Sequence, residues 1–152
     1  MHEICEHVHH LLRAEAPPGI LIDRDYDPSL PNAMLDRHQM IQALRNVARY
    51  ALQAQGALGR IVLRTRARSN VVIGSVQQRL VASVQVEDAG PGVPAHLRSS
   101  IFYPLVTGRA NGTGLGLAVA QELVTRNGGI IEFESETGRT VFTLLLPLGE
   151  DP

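Results

Sequence analysis

The sequence predicts an α/β (α+β) two-layer sandwich, with about three helices laid on one face of a mixed five-stranded sheet. Three observations lead there. Apolar residues recur at helical spacing in the opening segment and again after Asp36, strand-like runs occupy about Arg60 to Ala67 and Leu80 to Asp88, and two more such runs close the chain around a T-G-R turn. The strands follow one another as hairpins more often than across helices, which favours a mixed sheet with helices on one side. With 152 residues, 44% of them hydrophobic, the chain is sized for one domain spanning 1–152, and a domain of that size buries roughly 70% of its unfolded surface.

Composition removes several classes of function. Lys and Arg number 14 against 15 acids and are spread along the chain, so no footprint for nucleic acid or anionic lipid stands out. The single cysteine, Cys5, excludes an internal disulfide framework, and no signal-like or membrane-length apolar run is present. The expectation is a cytoplasmic domain, monomeric when isolated.

The elements follow in order. In M-H-E-I-C-E-H-V-H-H-L-L-R-A, the residues Ile4, Val8, Leu11 and Leu12 share a helical stripe that A-P-P-G terminates. His7, His9 and His10 do not share one helix face, so they read as a solvated surface and not as a metal set. G-I-L-I-D-R-D-Y-D is a short strand closed by D-P-S-L-P. Asp36 is placed to N-cap a helix running to about Gln55, with Met40, Leu44, Val47 and Ala51 inward and Gln42, Asn46, Arg49, Tyr50 and Gln53 on another face. Between the next two strands, S-N-V-V-I-G-S is a polar hairpin region whose pairing the pattern leaves open. A further helix is expected from near Gly114 to N-G-G, where Asn127 and Gly128 suit a left-handed cap.

Asp88 breaks this pattern. Leu80, Ala82, Val84 and Val86 share one face of their strand, and Asp88 falls in the same phase, which aims a carboxylate into the layer between sheet and helices. Burying it unpaired would cost several kcal/mol, so a polar partner is required. A ligand would supply one, with Gly90 and Gly92 removing Cβ atoms beside it. The alternative is a strand ending in a Gly-Pro turn whose aspartate caps the turn's own amides.

A second signal is G-R-A-N-G-T-G-L-G-L, Gly108 to Leu117, where alternating glycines open a helix and leave free N–H groups at the positive end of its dipole. Neither the Walker loop nor the dinucleotide fingerprint fits its spacing. Between the glycine clusters, Phe102 and Tyr103 are placed to anchor a loop carrying Arg109.

Taken together, D-A-G-P-G at Asp88 to Gly92, the Phe102 segment, G-T-G-L-G-L at Gly112 to Leu117 and the helix from Gln42 to Gln55 resemble the G1, F, G2 and N boxes of the GHKL ATP-binding fold. The strings R-D-Y-D-P-S-L-P, I-V-L-R-T-R, V-E-D-A-G-P-G-V-P and F-Y-P-L-V-T-G-R look like the catalytic domain of nitrogen-regulation sensor histidine kinases, the NtrB family. The resemblance implies an ATP site and transfer of the γ-phosphoryl group to a histidine, with ADP as product. In it Asp88 accepts from the adenine amine, and Gly90 and Gly92 give the ring room. Phe102 anchors the lid. Gly112, Thr113, Gly114, Leu115, Gly116 and Leu117 surround the phosphates, Arg109 meets the terminal phosphate, and Thr140 borders the adenine.

Two departures qualify the match. The family's N box has two asparagines four apart, the second a Mg²⁺ ligand. Here Asn46 is kept, as the residue left on the metal side, and Tyr50 takes the second place, where a neutral phenol is a poor ligand for so hard a cation. Ala89 replaces the asparagine of D-N-G-P-G. The family's phosphoacceptor histidine has no counterpart, since none of the six histidines lies in an H-E/D-x-x-N-P context, so a separate phosphoacceptor domain is expected as substrate. The resemblance also implies a response regulator and the PII signal protein as partners. Three functions compete: a histidine kinase catalytic domain, a nucleotide-binding regulatory module without kinase activity, and a gyrase-type ATP hydrolase. The last is disfavoured because Asn46 stands where such enzymes carry a glutamate base.

Overall fold

The computed structural model describes residues 1–31, 33–103 and 115–148. In chain order the elements are α1 (His2–Glu15), β1 (Gly19–Asp25), α2 (Arg37–Gln55), β2 (Leu58–Ile73), β3 (Val76–Asp88), α3 (Gly116–Arg126), β4 (Ile130–Glu136) and β5 (Arg139–Pro147), with a short 3-10 turn at Ala95–Leu97. The sheet runs β1-β2-β3-β5-β4, with β1 parallel to β2 and every other pair antiparallel. This is the expected mixed five-stranded sheet.

The α1 stripe is Ile4, Cys5, Val8, His9 and Leu12, with Leu11 only partly buried. His9 therefore departs from the expected solvated face: it is buried, and its Nε2–H donates to the Ile22 carbonyl at 3.3 Å. In α2 the carboxylate of Asp36 accepts from the Gln39 N–H at 3.0 Å, satisfying one of the helix's unpaired first-turn donors. Met40, Leu44, Val47 and Ala51 are buried as their spacing requires, joined by Ala43, Ala48 and Leu52.

The polar segment after Ala67 does pair. β2 and β3 continue as a hairpin to Ile73↔Val76, with register unchanged on either side of Asn70, which takes φ 55°. Gly74, at φ 63°, opens the two-residue turn, a backbone setting that disfavours a side chain.

At the end of α3 the left-handed residue is Gly128 (φ 79°), while Asn127 stays at φ −95°. The Gly129 N–H bonds to Val124 O at 3.0 Å and the Gly128 N–H to Thr125 O at 3.0 Å, the paired closure that satisfies orphan carbonyls. Asn127 acts through its side chain instead. Its Oδ1 accepts from the Asp36 N–H at 2.9 Å, and its Nδ2 donates to Gln39 Oε1 and Leu123 O, each at 2.9 Å. At the other end of α3, Asn46 Nδ2 donates to Gly116 O at 3.1 Å. Two asparagine amides thus hold α3 antiparallel along α2.

The opposite face of the sheet carries ion pairs across four strands: Arg60–Asp23 at 2.6 Å, Arg66–Asp25 at 2.9 Å, Arg64–Asp25 at 3.1 Å, Arg139–Glu87 at 3.1 Å and Arg64–Glu87 at 3.4 Å. Hydrogen bonds from the guanidiniums of Arg66 and Arg64 hold the Asp25 carboxyl below the ordinary aspartate range. A lowered folded-state pKa gives stability that is present above the unfolded value and lost on acidification through the folded one. In urea titrations the Asp25 contribution is therefore expected to be full above about pH 4, to decline below it, and to shrink in 1 M salt; a difference between wild type and Asp25→Asn that ignores both pH and salt contradicts this. Asn127→Ala removes three hydrogen bonds and is expected to cost about 1–3 kcal/mol of unfolding free energy at unchanged denaturant slope.

Candidate functional site

The register brings three polar side chains into one row. Asp88 pairs with Thr140, and Thr140 with Ser135, so all three stand side by side on the helix-facing surface of β3, β5 and β4. The next row inward is Val86, Phe142 and Phe133, and the one beyond is Val84, Leu144 and Ile131. A polar strip thus ends an apolar floor. Asp88 is 3% exposed and Thr140 2%, as the alternation along β3 requires of a residue in phase with Val84 and Val86.

The carboxylate is served by its own turn. Asp88 Oδ1 accepts from the Gly90 N–H at 2.9 Å, so the alternative of an aspartate that caps its own turn's amides holds for this oxygen. Gly90 and Gly92 also answer to the protein's own packing. A Cβ at Gly90 would stand 3.0 Å from Asp88 Oδ1 and 3.2 Å from Ala54 O. Gly92 lies at φ 91°, and a Cβ there would stand 2.9 Å from Glu136 O. These glycines let the turn lie against the end of α2 and the β4–β5 hairpin, whose Gly138 N–H donates to Gly90 O at 3.0 Å.

Two anchoring residues were not legible beforehand. Gln55, the last residue of α2, accepts from the Arg60 N–H at 2.8 Å and the Ala89 N–H at 3.2 Å, which ties the helix end to the start of β2 and to the turn that follows β3. Ser135 Oγ accepts from the Val93 N–H at 2.7 Å and lies 2.8 Å from Thr140 Oγ1. Ser135 sits between exposed glutamates, a pattern that reads as strand surface.

Phe142 carries the aromatic wall. Phe102 meets it edge-on at 6.2 Å between centroids and meets Phe133 at 6.0 Å, and Tyr50 meets Phe142 edge-on at 5.6 Å. Phe102 therefore anchors its segment, whereas Tyr103 is 64% exposed and does not. Asn46 and Tyr50 lie one turn apart on α2, facing the start of α3 and the wall respectively. α3 opens at Gly116 with Leu115 as an N-cap that makes no side-chain cap, and Leu117 is buried beneath the helix. Its first-turn N–H groups have no partner inside the helix, the arrangement that receives anions. Arg109, Gly112, Thr113 and Gly114 lie outside the described residues.

Among the described residues the N-box side chains make a poor ligand set for Mg²⁺. That ion requires about six oxygens at octahedral positions. The described residues offer an amide already engaged through its nitrogen with Gly116 and a phenol whose ring packs on Phe142. No group of three or more His, Cys, Asp or Glu with metal-binding placement occurs among the described residues. None of the described helices is long and apolar enough to cross a membrane.

A family model described as histidine kinase-, DNA gyrase B-, and HSP90-like ATPase matches residues 35–150. The sensory histidine kinase/phosphatase NtrB of Klebsiella oxytoca is 46% identical over 149 residues, covering 97% of this chain and 43% of that protein. The protein of the same name from Rhizobium leguminosarum bv. phaseoli is 36% identical, covering 99% of this chain and 41% of that protein. The chain thus spans less than half the length of these curated relatives. Among solved structures, a nucleotide-free catalytic domain of the histidine kinase ThkA superposes with a TM-score of 0.82 at 25% identity, covering 97% of this chain and 92% of that one. Full-length ShkA in complex with AMPPNP gives 0.78 at 26% identity, covering 98% of this chain and 30% of that one. The five-stranded mixed sheet and its three helices agree with these matches: the chain belongs to the histidine kinase-, DNA gyrase B- and HSP90-like ATPase family.

Proposed function

We propose that this chain is the ATP-binding catalytic domain of an NtrB-like sensor histidine kinase, transferring the γ-phosphoryl group of ATP to a histidine on a separate phosphoacceptor domain. The observation that carries the reading is the Asp88–Thr140–Ser135 row, with Asp88 and Thr140 buried, adjoining the aromatic row of Phe142 and Phe133 on the helix-facing side of the sheet. The base lies against the row with its amine donating to Asp88, while Phe142 and Phe102 border it. The phosphates reach the first turn of α3 at Leu115, Gly116 and Leu117 and, in the same reading, the segment of Gly112, Thr113 and Gly114, where Arg109 neutralises the terminal phosphate. The acceptor imidazole then attacks the γ-phosphorus, the bond to the bridging oxygen breaks, and ADP leaves. Positioning and charge neutralisation supply the catalysis, and no step is routed through a metal. A response regulator downstream, the PII signal protein as a further partner and a cytoplasmic location belong to the same reading.

One observation favours a second reading. Tyr50 stands at the N-box position that the family's pattern gives to the metal asparagine, and its ring is packed edge-on against Phe142. A domain so built binds nucleotide as a regulatory module with weak or no phosphotransfer.

Titrating a fluorescent ATP analogue with and without Mg²⁺ separates the readings: tighter binding with the metal supports the kinase, and metal-indifferent binding supports the regulatory module. Asp88→Asn is expected to weaken the analogue about tenfold or more, the effect of losing a hydrogen bond to a charged group. Unchanged affinity removes the adenine assignment. Tyr50→Asn is expected to raise Mg²⁺-dependent phosphorylation of a supplied acceptor domain, and no gain shows that the tyrosine is not what limits transfer.

A further inference from the structure

The antiparallel ladder between β2 and β3 ends at Asp88. Its last pair is Ile61↔Asp88, and the register would set Arg60 opposite Ala89 next, but the ladder stops short of that pair. Both N–H groups turn instead to one side-chain oxygen: Gln55 Oε1 accepts from the Arg60 N–H at 2.8 Å and from the Ala89 N–H at 3.2 Å. The amide nitrogen lies against the Ala51 carbonyl of its own helix at 3.5 Å, and a flipped amide would face donors with donors. Glycines clear the space. A Cβ at Gly59 would collide with the Gln55 amide, and one at Gly90 would stand 3.3 Å from Gln55 Cγ. Gln55 therefore closes the ladder directly after Asp88. The Ala89 N–H belongs to the peptide plane whose other end is the Asp88 Cα, so holding that N–H sets the backbone torsion that aims the carboxylate.

We propose that Gln55 is a positioning residue for base selection: through the Ala89 N–H it fixes the angle at which Asp88 meets a purine, and with it the preference for an exocyclic amine over a carbonyl oxygen. This rests on the adenine-binding reading above and deepens it. A carboxylate held in line with the base accepts from an amine and repels a carbonyl oxygen. One that can swing loses the first by misalignment and escapes the second by admitting a water between the two oxygens. Discrimination thus depends on aim, and Gln55 supplies the aim without contributing an atom to the base, since its oxygen is spent on two backbone donors. The same helix holds the start of α3 through Asn46 Nδ2, which donates to Gly116 O at 3.1 Å, so α2 sets both ends of the proposed nucleotide site from one rigid element.

The test is the ratio of affinities for ADP and inosine diphosphate, which carries a carbonyl in place of the amine, measured by calorimetry. The parent is expected to prefer ADP by about tenfold or more. Gln55→Met, which keeps the length and removes the oxygen, is expected to cut that preference to about threefold or less, and Gln55→Glu, which keeps an acceptor, to retain it. Gly59→Ala, whose methyl displaces the Gln55 amide without removing it, is expected to act like Gln55→Met. Thermal unfolding followed in parallel identifies a variant that does not fold, and the ratio is then read on the other of these two. If the folded variants weaken ADP and inosine diphosphate by one common factor, or leave both unchanged, Gln55 merely supports the fold and the inference is overturned. It is overturned too if Gln55→Glu narrows the ratio as far as Gln55→Met does. A parent that binds the two nucleotides equally, or binds neither, overturns the adenine reading itself.

Discussion

Everything in this domain is arranged around a carboxylate in the phase of the core. The strand that places Val84 and Val86 under the helices necessarily aims Asp88 there too, because side chains alternate with a period of two and no bulge intervenes. An ion in that position is tolerable only with polar company. The structure gives it the Gly90 N–H from its own turn and a row of two hydroxyls from β5 and β4. The apolar floor thus ends in a polar strip beside the last turn of α2.

Holding that end together takes several side chains with no chemistry of their own. Gln55 fixes the last turn of α2 to the backbones of Arg60 and Ala89, Asn46 fixes the first turn of α3, and Asn127 fixes its last turn to the cap of α2. Asn127 both accepts and donates, whereas Gln55 bridges its two partners through Oε1 alone and Asn46 reaches α3 through its Nδ2. Asn46 is instructive. The motif marks it as a residue on the metal side of the site, and the geometry commits its nitrogen to the backbone of α3.

Much of this was legible from residue order. Helix α2, its Asp36 cap and its inward stripe follow from local rules, as does the inward phase of Asp88. What escaped was tertiary. The Val71 to Val76 segment has no core behind it and so shows no clean alternation, yet β-branched residues and Gly74 carry the hairpin onward. His9 was read as surface because it shares no helix face with His7 and His10 and so completes no metal set, whereas the Ile22 carbonyl waiting across from it is visible only once β1 is placed. Ser135 could not be found because its partners, Val93 and Thr140, come from a loop and a strand that meet it only in the folded chain. The roles of Gly90 and Gly92 were half legible: the absence of a Cβ mattered, but the close neighbours are the protein's own backbone and carboxylate.

The central claim is that the inward carboxylate recognises an exocyclic amine. Comparing the affinity of the chain for ADP with that for purine riboside diphosphate, which keeps every ring nitrogen but lacks the amine, tests it with the protein unaltered. The account predicts that ADP binds tighter by about tenfold or more. Equal affinity for the two would contradict it.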